Sequence, residues 1–484
     1  MITKVTFLLD DVLETVDFAA DPSVSPTTTV LNYLRGLPNH KGIKEGCAEG
    51  DCGACTVVLG ELDGDSSIRY KSVDSCLLFL PMIHGKQLIT VENLQNGEGM
   101  LHPVQQAMVD AGGSQCGFCT PGFVMSLFSL YKEKNVPSRA EIDGALTGNL
   151  CRCTGYRPIV EAAAHSCMHD GLDQFTERKI HTVNLLKSIP RGPMAIETGK
   201  QSFFRPSTIR EAVSLKRLHP DAVVVCGATD VALRVTKRHE LIGKIIDISG
   251  VEELRTITDR PESLTIGSAV TISEAIIPIE TSFPALREML SLFASKQIRN
   301  VATFGGNLGT ASPIGDTPPV LIAYGARVVV TDGGREREVP LDEFFVGYRK
   351  TAMAKDELIK AIVIPKLRNG SLVRGYKVSK RKDLDIATLS GGFRLDLDSR
   401  GKVAGLVLAY GGMAEKTKRA VSVEKFMIGK PWDRRTVEQA MPLVDNDFHP
   451  ISDTRGSAEF RMIAARNLLL KFWVDTTGKD DAQL

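Results

Sequence analysis

The sequence predicts a multidomain α+β protein, because its patterning changes character three times along 484 residues. Short alternating segments come first, helical spacing follows, and strands then alternate with helices before a last strand-and-helix segment. Length alone suggests roughly three to four domains. A hydrophobic content of 43% and a charged content of 24% supply ordinary globular cores. The net charge of +1 gives no electrostatic case for nucleic acid or an anionic membrane.

Residues 1–91 read as a small β-rich domain with one crossing helix. Met1 to Asp10 alternates like a strand, and Asp10 and Asp11 cut it short of the apolar run of a signal peptide. Cys55–Leu59 and Gln87–Val91 alternate in the same way, and Thr27, Thr28 or Thr29 can cap a helix near Val30–Leu34. Residues 92–167 read as helical. Val104–Met108 and Gly122–Tyr131 recur at helical spacing, and Ser138 with Glu141 forms a capping box for a further helix. Residues 168–199 turn polar, with Asp170-Gly171, Thr176–Lys179 and the Pro190–Pro193 break, and read as a linker. Residues 200–370 are mixed α/β, with strands expected at Ala222–Cys226, Lys244–Ile248 and Arg327–Thr331. Residues 371–484 read as a C-terminal α/β subdomain containing Gly391–Leu395, Val403–Leu408 and a helix over Phe460–Trp473. No run of about 18 apolar residues suggests a membrane span.

Eight of the ten cysteines form two quartets. Cys47, Cys52 and Cys55 are spaced C-x4-C-x2-C, with Cys76 as the fourth member, which is the plant-type pattern of a 2Fe-2S centre. Cys116-x2-Cys119 and Cys151-x-Cys153 make the second. Soft thiolates hold redox-active iron better than oxygen ligands do, and glycines between ligands let backbone amides turn toward sulfur. Disulfides are the alternative, and two-residue spacings beside glycine suit them poorly. Both halves of the second quartet fall at expected helix ends, where exposed NH groups favour thiolates. Cys167 and Cys226 lack a partner pattern and read as ordinary buried thiols. Cluster thiolates need a reducing compartment, so the cytoplasm is expected.

Two glycine-rich loops add a second signal. Gly227–Asp230 follows a strand, and Gly305–Pro313 follows a helix; small residues let a diphosphate approach backbone NH groups. Neither is a GxGxxG or Walker sequence, so each by itself is also compatible with a plain turn. The 9 histidines lack zinc spacing and no GxSxG occurs, so no catalytic residue for acid-base or nucleophilic chemistry is expected on this chain.

Three stretches, Gly46–Cys55, Gln115–Gly122 and Gly148–Tyr156, together resemble the molybdenum hydroxylase family. Phe293–Asn307 and Tyr348–Thr351 bring the resemblance to its xanthine dehydrogenases, over nearly the whole chain. The resemblance implies a β-grasp ferredoxin-like 2Fe-2S domain, a helical-bundle 2Fe-2S domain and a two-subdomain α/β FAD-binding domain. Cys47, Cys52, Cys55 and Cys76 would hold the cluster towards the flavin. Cys116, Cys119, Cys151 and Cys153 would hold the one nearest molybdenum, with Gln115 touching the pterin. FAD would meet Val224, Val225, Cys226, Gly227, Ala228, Thr229 and Asp230 on one stretch. On others it would meet Phe293, Ala302, Thr303, Gly306, Asn307, Thr310, Asp316, Ile359 and Lys377, with Phe293 beside the isoalloxazine ring and Lys377 near its polar edge. Two departures stand out: Gly227-Ala228 replaces the family's Gly-Gly or Gly-Asn, and Leu384 stands where an acidic residue precedes Asp385-Ile386, at the nicotinamide pocket.

The chain's end at Leu484 resembles the small subunit of a split bacterial enzyme. The resemblance then implies a large molybdopterin-binding partner in a heterotetramer of two small and two large chains. Electrons from hypoxanthine or xanthine oxidation to urate would pass through two 2Fe-2S clusters to FAD and then NAD. The alternatives are the corresponding part of another molybdenum hydroxylase, acting on an aldehyde or N-heterocycle, and a stand-alone electron-transfer flavoprotein reductase. No nucleic acid or membrane partner is expected.

Overall fold

The computed structural model describes residues 1–96, 98–168 and 172–478. The chain forms two compact units, residues 1–252 with 295–302, and residues 253–294 with 303–484. Of the expected features, Asp170, Gly171 and the tail from 479 onward lie outside the described residues.

The first unit begins with strands β1 (Val5–Leu9) and β2 (Val12–Val16), helix α1 (Val30–Gly36), then β3 (Thr56–Asp63), β4 (Ser67–Asp74) and β5 (Gln87–Ile89). The sheet order is β2-β1-β5-β3-β4, with the β1–β5 pair parallel and the others antiparallel. Of the three threonines, Thr29 caps α1, accepting the Asn32 amide at 3.1 Å. Val30, Leu31 and Leu34 then fall on one face and join Phe7, Leu9, Val57 and Leu59 in the core. This is the expected β-rich domain with one crossing helix.

Four helices follow: α2 (Pro103–Asp110), α3 (Thr120–Glu133), α4 (Arg139–Leu146) and α5 (Arg157–Ser166). Their core holds Met108, Phe123, Leu127, Phe128, Ile142 and Ile159. The capping box at the start of α4 is present: Ser138 Oγ accepts the Glu141 amide, and Glu141 accepts the Ser138 amide.

The expected linker is instead ordered. Within 168–199 lie α6 (Gln174–Glu177), α7 (Lys179–Ser188) and strand β6 (Met194–Glu197). The polar residues masked an apolar stripe: Val183 and Leu186 sit three apart on the buried face of α7, and Leu186 with Ile189 packs on Leu8. Asp173, also in this stretch, is buried against His102 and Lys132 at 3.0 and 2.8 Å. His102 Nδ1 accepts the Val104 amide, which leaves Nε2 to donate to Asp173.

Strand β7 (Ser202–Arg205), α8 (Ile209–Leu218), β8 (Val223–Val225), α9 (Ala232–Thr236) and β9 (Lys244–Asp247) complete the unit. The sheet order is β6-β7-β9-β8, parallel except at β6–β7. Met194, Ile196, Phe203 and Ile245 belong to the same hydrophobic core as β1, β3 and α1. The segment 295–302 returns to this unit as a short helix, Lys296–Arg299.

The second unit has an antiparallel sheet of β10 (Ile257–Asp259), β11 (Ser263–Gly267), β12 (Arg327–Thr331), β13 (Glu336–Pro340) and β16 (Leu358–Pro365), ordered β10-β11-β16-β12-β13. A small hairpin, β14 (Phe345–Gly347) and β15 (Lys350–Thr351), precedes β16. The C-terminal part is an antiparallel sheet of β17 (Leu372–Val378), β18 (Leu389–Leu397), β19 (Val403–Gly411) and β20 (Lys418–Arg419). The closing helix runs Ala458–Thr477 and buries Leu468, Leu469, Phe472 and Trp473 among Phe393, Leu408 and Tyr410. Strands and helices thus combine in this subdomain as expected, around an antiparallel sheet. Among the described residues, no helix is long and apolar enough to cross a membrane.

Candidate functional site

The first quartet lies in a loop that winds around its own sulfurs. Ala48, Gly50 and Gly53 adopt φ of 54°, 78° and 66°. This turns the Glu49 and Asp51 amides onto Cys47 Sγ at 3.4 and 3.3 Å. Cys76, from the turn Ser75–Leu77 after β4, reaches the same place and is 2% exposed, as is Cys55. The thiols interact most strongly in twos, Cys47 with Cys52 and Cys55 with Cys76, and more weakly across the pairs, Cys52 with Cys55 and Cys47 with Cys76. The Cys52 thiol and the loop amides hold Cys47 down at about 5. Its neighbours Cys55 and Cys76 titrate high, Cys55 because of its contact with Cys76 and its burial. Asp74, fully buried, lies 3.7 Å from Cys55 Sγ through Oδ1.

The second quartet is built on helix ends. Cys119 is the N-cap of α3, Cys116 lies just before it, and Cys151 and Cys153 fill the loop from α4 to α5. Pairing is again two by two, Cys116 with Cys153 and Cys119 with Cys151. The Phe118 amide and Cys153 lower Cys116, while burial and Cys151 lift Cys119 to about 12. Cys116 and Cys153 are exposed, beside exposed Phe118, Leu150, Tyr156 and Gln115.

These arrangements fit a two-iron cluster in each place. Such a cluster takes four thiolates, two per iron, so sulfurs should meet as two pairs rather than converge on one point. Among the described residues, no group of three or more His, Cys, Asp or Glu side chains forms a single-metal site. All eight are free thiols, and amides already aim at Cys47 and Cys151, the latter from Thr154 at 3.5 Å.

The flavin candidates fall on stretches of both units. In the first unit, β8 carries Val224 and Val225, and Cys226 through Asp230 turn out of it. Cys226 is half-buried rather than buried. A Cβ on Gly227 would lie 1.9 Å from the Val301 carbonyl, so only glycine fits there. Ala228 sits at φ 56°, which explains why the family's pattern has Gly or Asn at this point. Ala302 ends the segment 295–302, buried.

In the second unit, the glycine stretch expected as a loop is a helix, Phe304–Gly309, N-capped by Thr303 through the Gly306 amide at 3.1 Å. Gly306 and Gly309 are exposed on it, Asn307 accepts the Thr317 hydroxyl at 2.5 Å, and Thr310 is its C-cap. Ile359 on β16 packs beside Gly309. Phe293 is half-buried. Lys377, on β17, buries its side chain, which donates to the Leu292 carbonyl and to Asp316 Oδ2, each at 2.8 Å. Burial raises the Asp316 carboxyl even so, and its Oδ1 has no partner among the described residues. A buried, half-satisfied carboxyl suits a polar ligand edge, and exposed Gly306 in the first turn of a helix suits a diphosphate. Leu384 holds φ 70°, a second departure at a left-handed position.

Sequence reasoning missed Asp74 beside Cys55, and Ser126 and Gln297, which bond to Asn149 between the two cysteine loops. Their signal was weak: a lone Ser in an apolar helix and a Gln in a polar turn carry no spacing pattern.

Comparison with known proteins matches three family descriptions in the order of the fold. Residues 90–164 match a [2Fe-2S] binding domain. Residues 197–367 match the FAD binding domain in molybdopterin dehydrogenase, and residues 374–476 the CO dehydrogenase flavoprotein C-terminal domain. The chain belongs to the molybdenum hydroxylase family. Within that family it is 34% identical to the xanthine dehydrogenase of Emericella nidulans and 33% identical to the xanthine dehydrogenase/oxidase of Mus musculus. Each alignment covers 95% of this chain and 38% of the relative, so the chain spans well under half the length of these relatives. The carbon monoxide dehydrogenase of Hydrogenophaga pseudoflava is similar in structure, with a TM-score of 0.54 at 26% identity over 57% of this chain and 96% of that one. Homology thus gives this chain a 2Fe-2S binding domain and an FAD binding domain.

Proposed function

We propose that this chain is the electron-transfer part of a xanthine dehydrogenase. It would relay electrons from a molybdenum cofactor on a larger partner chain, through two 2Fe-2S clusters and FAD, to NAD, during oxidation of hypoxanthine and xanthine to urate. The observation that carries this reading is the coincidence of two paired quartets with alignment to xanthine dehydrogenases along 95% of the chain. When bound, the clusters supply one-electron steps and the flavin converts single electrons to hydride transfer. The chain's own residues bind and tune. Cys47, Cys52, Cys55 and Cys76 would hold the first cluster away from water, and Cys116, Cys119, Cys151 and Cys153 the second at a surface that also exposes Gln115. Gly227, Ala228, Thr303, Gly306 and Asp316 would receive the FAD.

The substrate site is assigned to the partner chain because this chain aligns with only 38% of each xanthine dehydrogenase. A heterotetramer of two small and two large chains in a reducing cytoplasm is the proposed setting. The second reading, a component of another molybdenum hydroxylase, is favoured by the likeness to carbon monoxide dehydrogenase over the flavin part. The test is to purify the chain with its large partner and follow NAD reduction with xanthine, an aldehyde, an N-heterocycle and carbon monoxide. Xanthine-dependent NADH formation is expected. Turnover with one of the others but not xanthine, or full turnover of this chain with no partner bound, would overturn the proposal.

A further inference from the structure

The two cysteine loops touch through backbone. The Leu150 amide donates to the Cys52 carbonyl at 3.0 Å, so one hydrogen bond joins a member of the first quartet to the neighbour of Cys151. Asn149 Nδ2 donates to the Gly53 carbonyl at 3.1 Å and approaches Thr56 Oγ1 at 3.3 Å. Its Oδ1 accepts the Ser126 hydroxyl of α3 at 2.6 Å and Gln297 Nε2 at 2.9 Å, and Gln297 Nε2 is 3.1 Å from Ser126 Oγ. All three residues are buried, at 2%, 2% and 0% exposure.

Three glycines make this closeness possible. A Cβ on Gly53 would lie 2.3 Å from the Gly148 carbonyl, one on Gly122 2.1 Å from the Gly53 carbonyl, and one on Gly148 2.2 Å from Gln297 Oε1. Apolar side chains would pack the same strands and helices at lower desolvation cost. A buried amide network adds direction, because each member has one satisfied geometry. Gln297 Oε1 has no partner among the described residues, so the amide is held there at a cost in unmade hydrogen bonding.

We propose that Asn149, locked by Ser126 and Gln297, is the positioning residue that fixes the separation and relative orientation of the two quartets, and so the coupling between the redox groups they would hold. This rests on reading the quartets as two 2Fe-2S sites. The Cys52 carbonyl to Leu150 amide bond is the contact it keeps in register.

The test uses the full chain with both clusters loaded, reduced by dithionite, and reads the dipolar coupling between the two cluster signals by EPR. Asn149→Leu keeps volume and removes the amide; Gln297→Leu leaves Asn149 in place and decides the matter if the first variant does not fold. Both are expected to retain two signals and lose the wild-type coupling, while Ser126→Thr, which keeps a hydroxyl, retains it. Asp173→Asn, which breaks a buried ion pair sharing no residue with the network, is expected to lower thermal stability with coupling unchanged. Wild-type coupling in both leucine variants, or no coupling in the wild type, would overturn the proposal. Failure of the wild-type chain to give two signals at full iron loading would instead overturn the 2Fe-2S reading itself.

Discussion

The two quartets each bring four thiols together, in opposite surroundings. Cys55 and Cys76 are each 2% exposed and sit in the core that α1 shares with the first sheet, whereas Cys116 and Cys153 stand exposed at helix ends. The first site is made by long-range packing, since Cys76 reaches it only because β3 and β4 pair in full register. The second is made by local structure, two loops held at the ends of α3, α4 and α5. Burial keeps water from Cys55 and Cys76 and helps to raise both thiols; exposure of Cys116 and Cys153 leaves the other site ready for whatever surface covers it.

If that contrast is right, the largest difference should come from single ligands. Cys55→Ser is expected to abolish one cluster and to lower folding stability with it, since binding at a metal site built by folding is folding free energy, on the order of 10 kcal/mol for structural zinc. The metal-free Cys55→Ser chain should still lose roughly 1–3 kcal/mol from the buried hydroxyl. Cys153→Ser should abolish the other cluster and leave the thermal midpoint of the metal-free chain in place. Denaturant titration of loaded and metal-free variants checks both.

Next in size is the ion pair that anchors the helical domain. Burial pushes the Asp173 carboxyl up, and the hydrogen bonds from His102 and Lys132 outweigh it, so the net shift is downward. A depressed folded pKa gives stability that is present above the ordinary carboxylate value of about 3.9 and lost as pH falls toward the folded value. Asp173→Asn should cost about 3–5 kcal/mol at neutral pH, because it strands Lys132 and His102. It should also flatten the acid limb of stability below about pH 4, measured by denaturation at several pH values. Below about pH 4 the stability of the wild type should therefore fall more steeply with acid than that of the variant, from a higher starting value.

The glycines sharpen the comparison further. Gly122→Ala drives a Cβ into the Gly53 carbonyl and should cost about 1–3 kcal/mol or more. Gly117→Ala, in open space at φ 80°, should cost only the left-handed penalty of about 1–2 kcal/mol. Smallest is Ala228→Gly in the proposed diphosphate turn. Relief at φ 56° is partly offset by the freer unfolded chain, for a net gain below about 1 kcal/mol, read as a rise in midpoint.

Much of this was legible in residue order. The quartets, the capping box at Ser138 and the strands at Lys244 and Arg327 follow from spacing and period, which are local. The segment after 168 was misread because charge hid Val183, Leu186 and Ile189, and Leu8, on which the last two pack, lies far back in the chain. The glycine stretch at 305 was taken for a loop because glycine disfavours helix, and the cap at Thr303 outweighs that preference over a single short helix. The burial of Lys377 against Asp316 and the network at Asn149 are long-range pairings between ordinary polar residues, and no periodicity announces them.

The central claim is that both quartets hold clusters of the same kind in different surroundings. The most direct measurement is the EPR spectrum of the purified, dithionite-reduced chain at full iron loading. Two 2Fe-2S signals of equal intensity, with only one lost in Cys55→Ser and only the other in Cys153→Ser, are predicted. A single signal, or the loss of both in either variant, would contradict the account.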